Sequence, residues 1–127
     1  MKDSTVSFTF KGRIRSMRYA VAGIGEMLAS QHNAWVHAAA TVAVVCLGLA
    51  VGVSRIEWCV LILAIAAVWV AEALNTAFEL LCDVASPDFH PVVKKAKDVA
   101  AGAVLLSALG SIAIGLIIFV PYIERWL

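Results

Sequence analysis

Charge is scarce in this sequence: Asp, Glu, Lys and Arg make up 15% of its 127 residues, against 62% hydrophobic residues and a mean hydropathy of +0.91. An ordinary soluble domain carries roughly a quarter charged residues, so that class is set aside. The apolar runs reach membrane-spanning length, which predicts a single all-α integral membrane domain over residues 1–127. Cysteines are few as well. Cys46, Cys59 and Cys82 stand alone within apolar stretches. An odd count without paired spacing argues against a disulfide framework and gives no support to a metal cluster, so they read as small buried hydrophobes. There is no internal repeat, no low-complexity segment and no glycine-rich phosphate loop of the Walker type. Any phosphate contact would therefore come from side chains and metal. Met1 to Phe10 is polar and followed by bases, which predicts no cleavable signal. The net charge of +1 points to no partner class by itself, and no nucleic acid partner is expected.

The distribution of the bases says more than their sum. Of ten Lys and Arg, eight lie before residue 19 or between residues 94 and 97, leaving Arg55 and Arg125. Phe10, Ile14, Met17, Val21, Ile24 and Leu28 recur at spacings of four and three, an apolar seam beside Lys11, Arg15 and Arg18, with Arg13 nearby. A basic amphipathic helix too weakly apolar to span, here over 8–30, is expected to lie in the membrane interface.

Three spans are expected after it, at 34–53, 58–81 and 99–120. The first ends at Gly52 and the link Ser54 to Glu57. Ser86-Pro87 breaks the second, Asp88 to Pro91 forms a polar connection, and Pro121 is expected to stop the third. Trp35, Trp58, Tyr122 and Trp126 fall near span ends, as interfacial aromatics do. The asymmetry of the bases puts the N-terminus and the 83–98 connection inside and Arg55 and Arg125 outside, consistent with an odd number of spans.

Where the second span nears its inner end, the sequence reads Glu72-Ala-Leu-Asn75-Thr76-Ala-Phe-Glu79-Leu-Leu-Cys-Asp83. At about 100° per residue, Glu72, Thr76, Glu79 and Asp83 share one face within roughly 60°, with Asn75 beside them. A carboxylate near the bilayer centre costs about 3 kcal/mol on insertion scales, and intramembrane ionisable residues default to functional sites. The plainer alternative, a helix end at the headgroup level, suits Asp83 and suits Glu72 poorly. Lys97 and Asp98, in Lys94-Lys95-Ala96-Lys97-Asp98, face the same compartment as Glu79 and Asp83. Lys94 and Lys95 are adequately explained as a positive membrane-edge collar. Carboxylates can hold a hard cation through oxygen while an ammonium meets phosphate oxygens. Ala103, Ser107, Ser111 and Gly115 repeat every fourth residue, a smooth strip for close helix packing within the chain or against other copies. The residues alone thus define a carboxylate and lysine site at a membrane boundary. They leave two functions open: phosphoryl transfer, or a non-enzymatic ion-conducting or scaffold oligomer.

The stretch Glu72 to Asp83 resembles the signature of the prokaryotic diacylglycerol kinase family, which also contains the undecaprenol kinases. Ser86-Pro-Asp-Phe-His90 and Ala96-Lys-Asp98 are similar to that family's next two landmarks, in the same order, and the resemblance covers nearly the whole chain from about Phe10. It implies an ATP-dependent, Mg²⁺-assisted lipid kinase of a bacterial cytoplasmic membrane, a homotrimer with cytoplasmic sites shared between subunits. Glu72 matches the family's general base, in contact with the lipid hydroxyl, and Asn75 belongs to the same wall. Glu79 matches a metal-binding glutamate that meets the nucleotide. Lys97, Asp98, Asp88 and His90 match nucleotide-contacting positions, and Tyr19 matches a tyrosine of the interfacial helix near the nucleotide. Two departures stand out. Gln31 occupies the position of a second metal-binding glutamate, leaving either fewer charges or a contribution from Glu26 one turn earlier. Trp35 stands where relatives frequently have arginine. Ser86-Pro87, His90-Pro91 and Asp98 to Val104 look closer to the undecaprenol kinase branch than to the enteric diacylglycerol kinase branch.

Overall fold

The computed structural model describes residues 7–127. The Met1–Val6 part of the stretch expected to hold no cleavable signal lies outside them. Four helices follow one another: α1 (Phe10–Ser30), α2 (His32–Val51), α3 (Arg55–Ala85) and α4 (Pro91–Glu124). The last three are long and apolar enough to cross a membrane.

Each boundary has a local cause. Thr9 caps α1 by accepting a hydrogen bond from the Gly12 amide at 3.1 Å. Only Gln31, with extended backbone at φ −114°, separates α1 from α2. Gly52 ends α2 in the left-handed conformation, φ +70°, and returns its N–H to Gly48 O at 3.0 Å. Ser54 and Glu57 then form a reciprocal capping box that starts α3. Ser86 caps the far end of α3 ahead of Pro87, and Pro91 occupies the first turn of α4, where its missing N–H costs nothing.

Helices α3 and α4 overrun the expected spans 58–81 and 99–120, because both continue into polar sequence that still favours helix. Pro121 does not stop α4. It lies in the last turn, where only one backbone bond is forfeited, and Tyr122 just beyond it donates to Glu57 Oε2 at 2.6 Å. That anchor on α3 carries the helix on to Glu124.

Helices α3 and α4 run antiparallel along their length, matched at Glu57 with Tyr122, at Ala64 with Ser111 and at Asp83 with Lys97. Helix α2 lies antiparallel to α3 through Gly48 against Trp58, Thr41 against Trp69 and His37 against Glu72. The apolar core sits at the Arg55 end, where Val53, Leu61, Ile118 and Phe119 cluster. From that core toward His37, an open apolar groove of about 500 Å³ runs between α2 and α4 above α3.

Most apolar side chains face outward, and Cys46 and Cys59 are among them. The expectation that all three cysteines are buried is thus corrected: Cys46 and Cys59 lie on helix faces turned away from the rest of the chain, and Cys82 is only partly buried. Along the small-residue strip, Ser111 donates to Ala64 O at 3.1 Å, which ties α4 to α3. A methyl group on Gly102, Gly110 or Gly115 would meet nothing within 4 Å. On Phe10, Ile14, Met17, Val21 and Ile24 the apolar seam of α1 is exposed.

Candidate active site

Three successive levels of polar side chains line one face of α3. The deepest is Glu72, 0% exposed. Nε2 of His37, from α2, stands 3.3 Å from its Oε2, an approach not aligned for a hydrogen bond, and neither carboxylate oxygen has a hydrogen-bonding partner. An ionised group in that position carries a large desolvation cost unless a donor or substrate completes it. Thr76, one turn on, spends its hydroxyl on Glu72 O at 2.8 Å and so offers the stripe little.

The middle level gathers Asn75, Glu79 and Gln31. Asn75 Nδ2 donates to Glu79 Oε1 at 3.4 Å, and Gln31 Nε2 donates to Glu79 Oε2 at 3.2 Å. The extended backbone at Gln31 makes the second contact possible, since the break between α1 and α2 aims that side chain at α3. Asn75 is 6% exposed and its Oδ1 has no hydrogen-bonding partner. The outer level is Asp83, whose Oδ1 lies 3.0 Å from Lys97 Nζ of α4. Both of these are substantially exposed, so the pair adds little stability and its lysine remains free to exchange partners.

Other residues singled out from the sequence do not reach this face within the chain. Asp98 pairs with Lys94 at 2.7 Å on the exposed side of α4. His90 Nδ1 accepts from the Val92 amide at 3.2 Å and so caps α4. Asp88 uses its carbonyl to accept from Ser86 Oγ at 3.1 Å. Tyr19, 70% exposed on α1, and Glu26, also exposed, make no side-chain hydrogen bond among the described residues. Sequence reading passed over His37, Thr41 and Trp69. The available signal was an ionisable residue inside an apolar span, which is seldom there without a partner.

Among the described residues no group of three His, Cys, Asp or Glu is placed to hold a metal. The donors at the middle level are one carboxylate and two amides, all oxygen-bearing, with an unpartnered Asn75 oxygen among them. Such a set suits a hard cation that also binds substrate phosphates, and does not suit a closed protein cage.

The fold and site together define a small bundle of three potential membrane-crossing helices with an ionisable face near one end. More narrowly, the family model for prokaryotic diacylglycerol kinase matches residues 18–119, and the chain belongs to that family. It is 43% identical over 107 residues to an undecaprenol kinase of Bacillus subtilis, covering 84% of this chain and 87% of the relative. A diacylglycerol kinase of Synechocystis is 37% identical over 107 residues, with 84% of this chain and 61% of the relative covered. No solved structure matches.

Proposed function

We propose that the protein transfers the γ-phosphate of ATP to the primary hydroxyl of a membrane lipid, diacylglycerol or undecaprenol, at the polar face of α3. The observation that carries this reading is the graded placement of Glu72, Glu79 and Lys97 from buried to exposed on one face. Phosphoryl transfer needs a group to accept the alcohol proton, charge neutralisation on the phosphates, and alignment of the two substrates. Glu72, fully buried beside an apolar groove, is suited to receive the hydroxyl proton of an acceptor that arrives from the lipid. Glu79, with the amides of Gln31 and Asn75, would hold Mg²⁺, which when bound offsets the negative charge of the phosphates. A half-turn of the Gln31 amide exchanges its nitrogen for its oxygen at the same place. Lys97 would leave Asp83 for the phosphates, with Asp98, Asp88, His90 and Tyr19 bordering the nucleotide from the exposed side.

The reaction balances simply. The lipid O–H bond breaks as its proton passes to Glu72, and the lipid oxygen bonds the γ-phosphorus. The bond from that phosphorus to the bridging oxygen breaks, and its electron pair leaves on ADP. The base distribution supports a cytoplasmic N-terminus and site, and membership of a prokaryotic family supports a bacterial inner membrane. The small residues repeating every fourth position, Ala103, Ser107, Ser111 and Gly115, suit close packing against other copies and support a homotrimer.

Membranes holding the full chain, with Mg²⁺, γ-labelled ATP and either lipid, test the reading. Labelled phosphate should appear in the lipid only when the acceptor is added, and the two rates rank the acceptors. No transfer to any hydroxylated lipid would remove the kinase and leave the non-enzymatic oligomer.

A further inference from the structure

Resting on that reading, we infer that His37 is a positioning residue for Glu72: its imidazole donates from Nε2 to one carboxylate oxygen and leaves the other free for the lipid hydroxyl. Glu72 has no exposure and no hydrogen-bonding partner on either oxygen, while His37 Nε2 is itself buried, without a hydrogen bond, and 3.3 Å from Oε2. Two unsatisfied buried groups this close each supply what the other lacks. Loose alignment is common before substrate binds and tightens in the complex.

The surroundings fix the ring. Thr41, one turn beyond His37 on α2, donates to His37 O at 2.7 Å and accepts from Trp69 Nε1 at 3.0 Å. The Trp69 ring meets the imidazole edge-on, with centroids 6.3 Å apart and planes at 71°. Trp69 lies one turn before Glu72 on α3, so the same contact that ties α2 to α3 sets imidazole against carboxylate. His37 also lines the apolar groove, together with Val36, Ala40 and Thr41, and so marks where an alkyl chain gives way to a polar group. A neutral imidazole with its proton on Nε2 suffices, and no change of charge is required. The hydroxyl proton then passes to Glu72 Oε1 as the lipid oxygen bonds the γ-phosphorus and ADP leaves with the electron pair.

Two substitutions separate positioning from packing. His37→Phe keeps a ring against Trp69 and deletes the donor; His37→Gln gives up the ring and keeps an N–H near the Nε2 position. Positioning predicts that His37→Phe lowers turnover about 10²-fold, with half-saturation by Mg-ATP unchanged, and that His37→Gln restores a large part of it. In the Glu72→Gln background, His37→Phe should cost almost nothing more. A packing role predicts the reverse order, and an active His37→Phe or an equally inactive His37→Gln overturns the inference. A second measurement needs no activity. In full-length protein with ¹⁵N-labelled histidine, the His37 Nε2 resonance should move on Glu72→Gln while His32 and His90 stay put, with neither nucleotide nor lipid present. An unmoved His37 resonance overturns the contact. A wild type inactive on every lipid would instead remove the kinase reading, and the resonance would still judge the contact.

Discussion

Glu72 and Glu79 are both carboxylates on one helix face, yet their surroundings assign them different work. Glu72 is sealed among α2 and α3, whereas Glu79 is part-buried and receives N–H groups from Gln31 and Asn75. Glu72→Gln should therefore depress turnover by about 10² to 10⁴-fold with nucleotide affinity kept, the range of a lost general base. Glu79→Gln should raise the Mg²⁺ and ATP concentrations needed for half-maximal rate and recover in part at high Mg²⁺. Steady-state rates over a grid of both concentrations check this, and identical pure turnover defects would dissolve the division of roles. Gln31 offers a sharper probe, because it already touches Glu79. Gln31→Glu adds a charge at a distance where opposite charges attract appreciably, and should lower the Mg²⁺ midpoint about three- to tenfold. Gln31→Ala should raise it. If Gln31 only caps the junction between α1 and α2, both variants change expression or melting and leave the midpoint in place.

Among the elements, α2 and α3 approach closely at Gly48. A methyl group on Gly48 would lie 2.7 Å from the Trp58 ring, so the two helices meet through an absent side chain. Gly48→Ala gains helix propensity of about 1 kcal/mol, but forcing a methyl into a rigid ring costs about 1–3 kcal/mol. Thermal unfolding in detergent should show a lowered midpoint, largely recovered by adding Trp58→Leu; an unchanged midpoint would mean that the joint is slack. Two boundaries were legible because they rest on local chemistry: Gly52 and Ser86-Pro87 act within a turn of themselves. Ser54 to Glu57 reads as a link, whereas its capping box already starts α3 at Arg55. The overrun at Pro121 was not legible, since a partner 65 residues away, Glu57, holds that last turn. The same distinction runs through the site. The polar stripe follows from helical periodicity alone, but His37 against Glu72 depends on how α2 and α3 align, which no local pattern encodes. Tyr19, Asp88 and His90 came from resemblance and Asp98 from its place beside Lys97, and within one chain all four stand apart from the acidic face.

At the scale of the molecule, the bases fall at opposite ends. Lys94, Lys95 and Lys97 enter α4 at the acidic end, while Arg55 begins α3 and Arg125 follows α4 at the other. In a background with the native cysteines replaced, Ser7→Cys should react with an impermeant maleimide only from the cytoplasmic side and Leu127→Cys only from the opposite side. Reaction of both from one side would refute three crossings. Helix α3, at 31 residues, is also longer than a bilayer requires. Its rise is about 46 Å, against a hydrocarbon thickness of about 30 Å. With Arg55 at one boundary and the helix near the membrane normal, Glu72 comes about 26 Å along, just inside the other boundary, and Glu79 comes about 36 Å along, in the headgroup layer. The helix then acts as a depth gauge. An acceptor must present its hydroxyl where oil gives way to water, as a diacylglycerol or a polyprenol does. Phosphatidylglycerol also carries a primary hydroxyl, but holds it outboard of a phosphate, above the level of Glu72. It should remain unphosphorylated at concentrations that saturate the other two, and labelling it as fast as they are labelled would mean that depth is not what the enzyme measures.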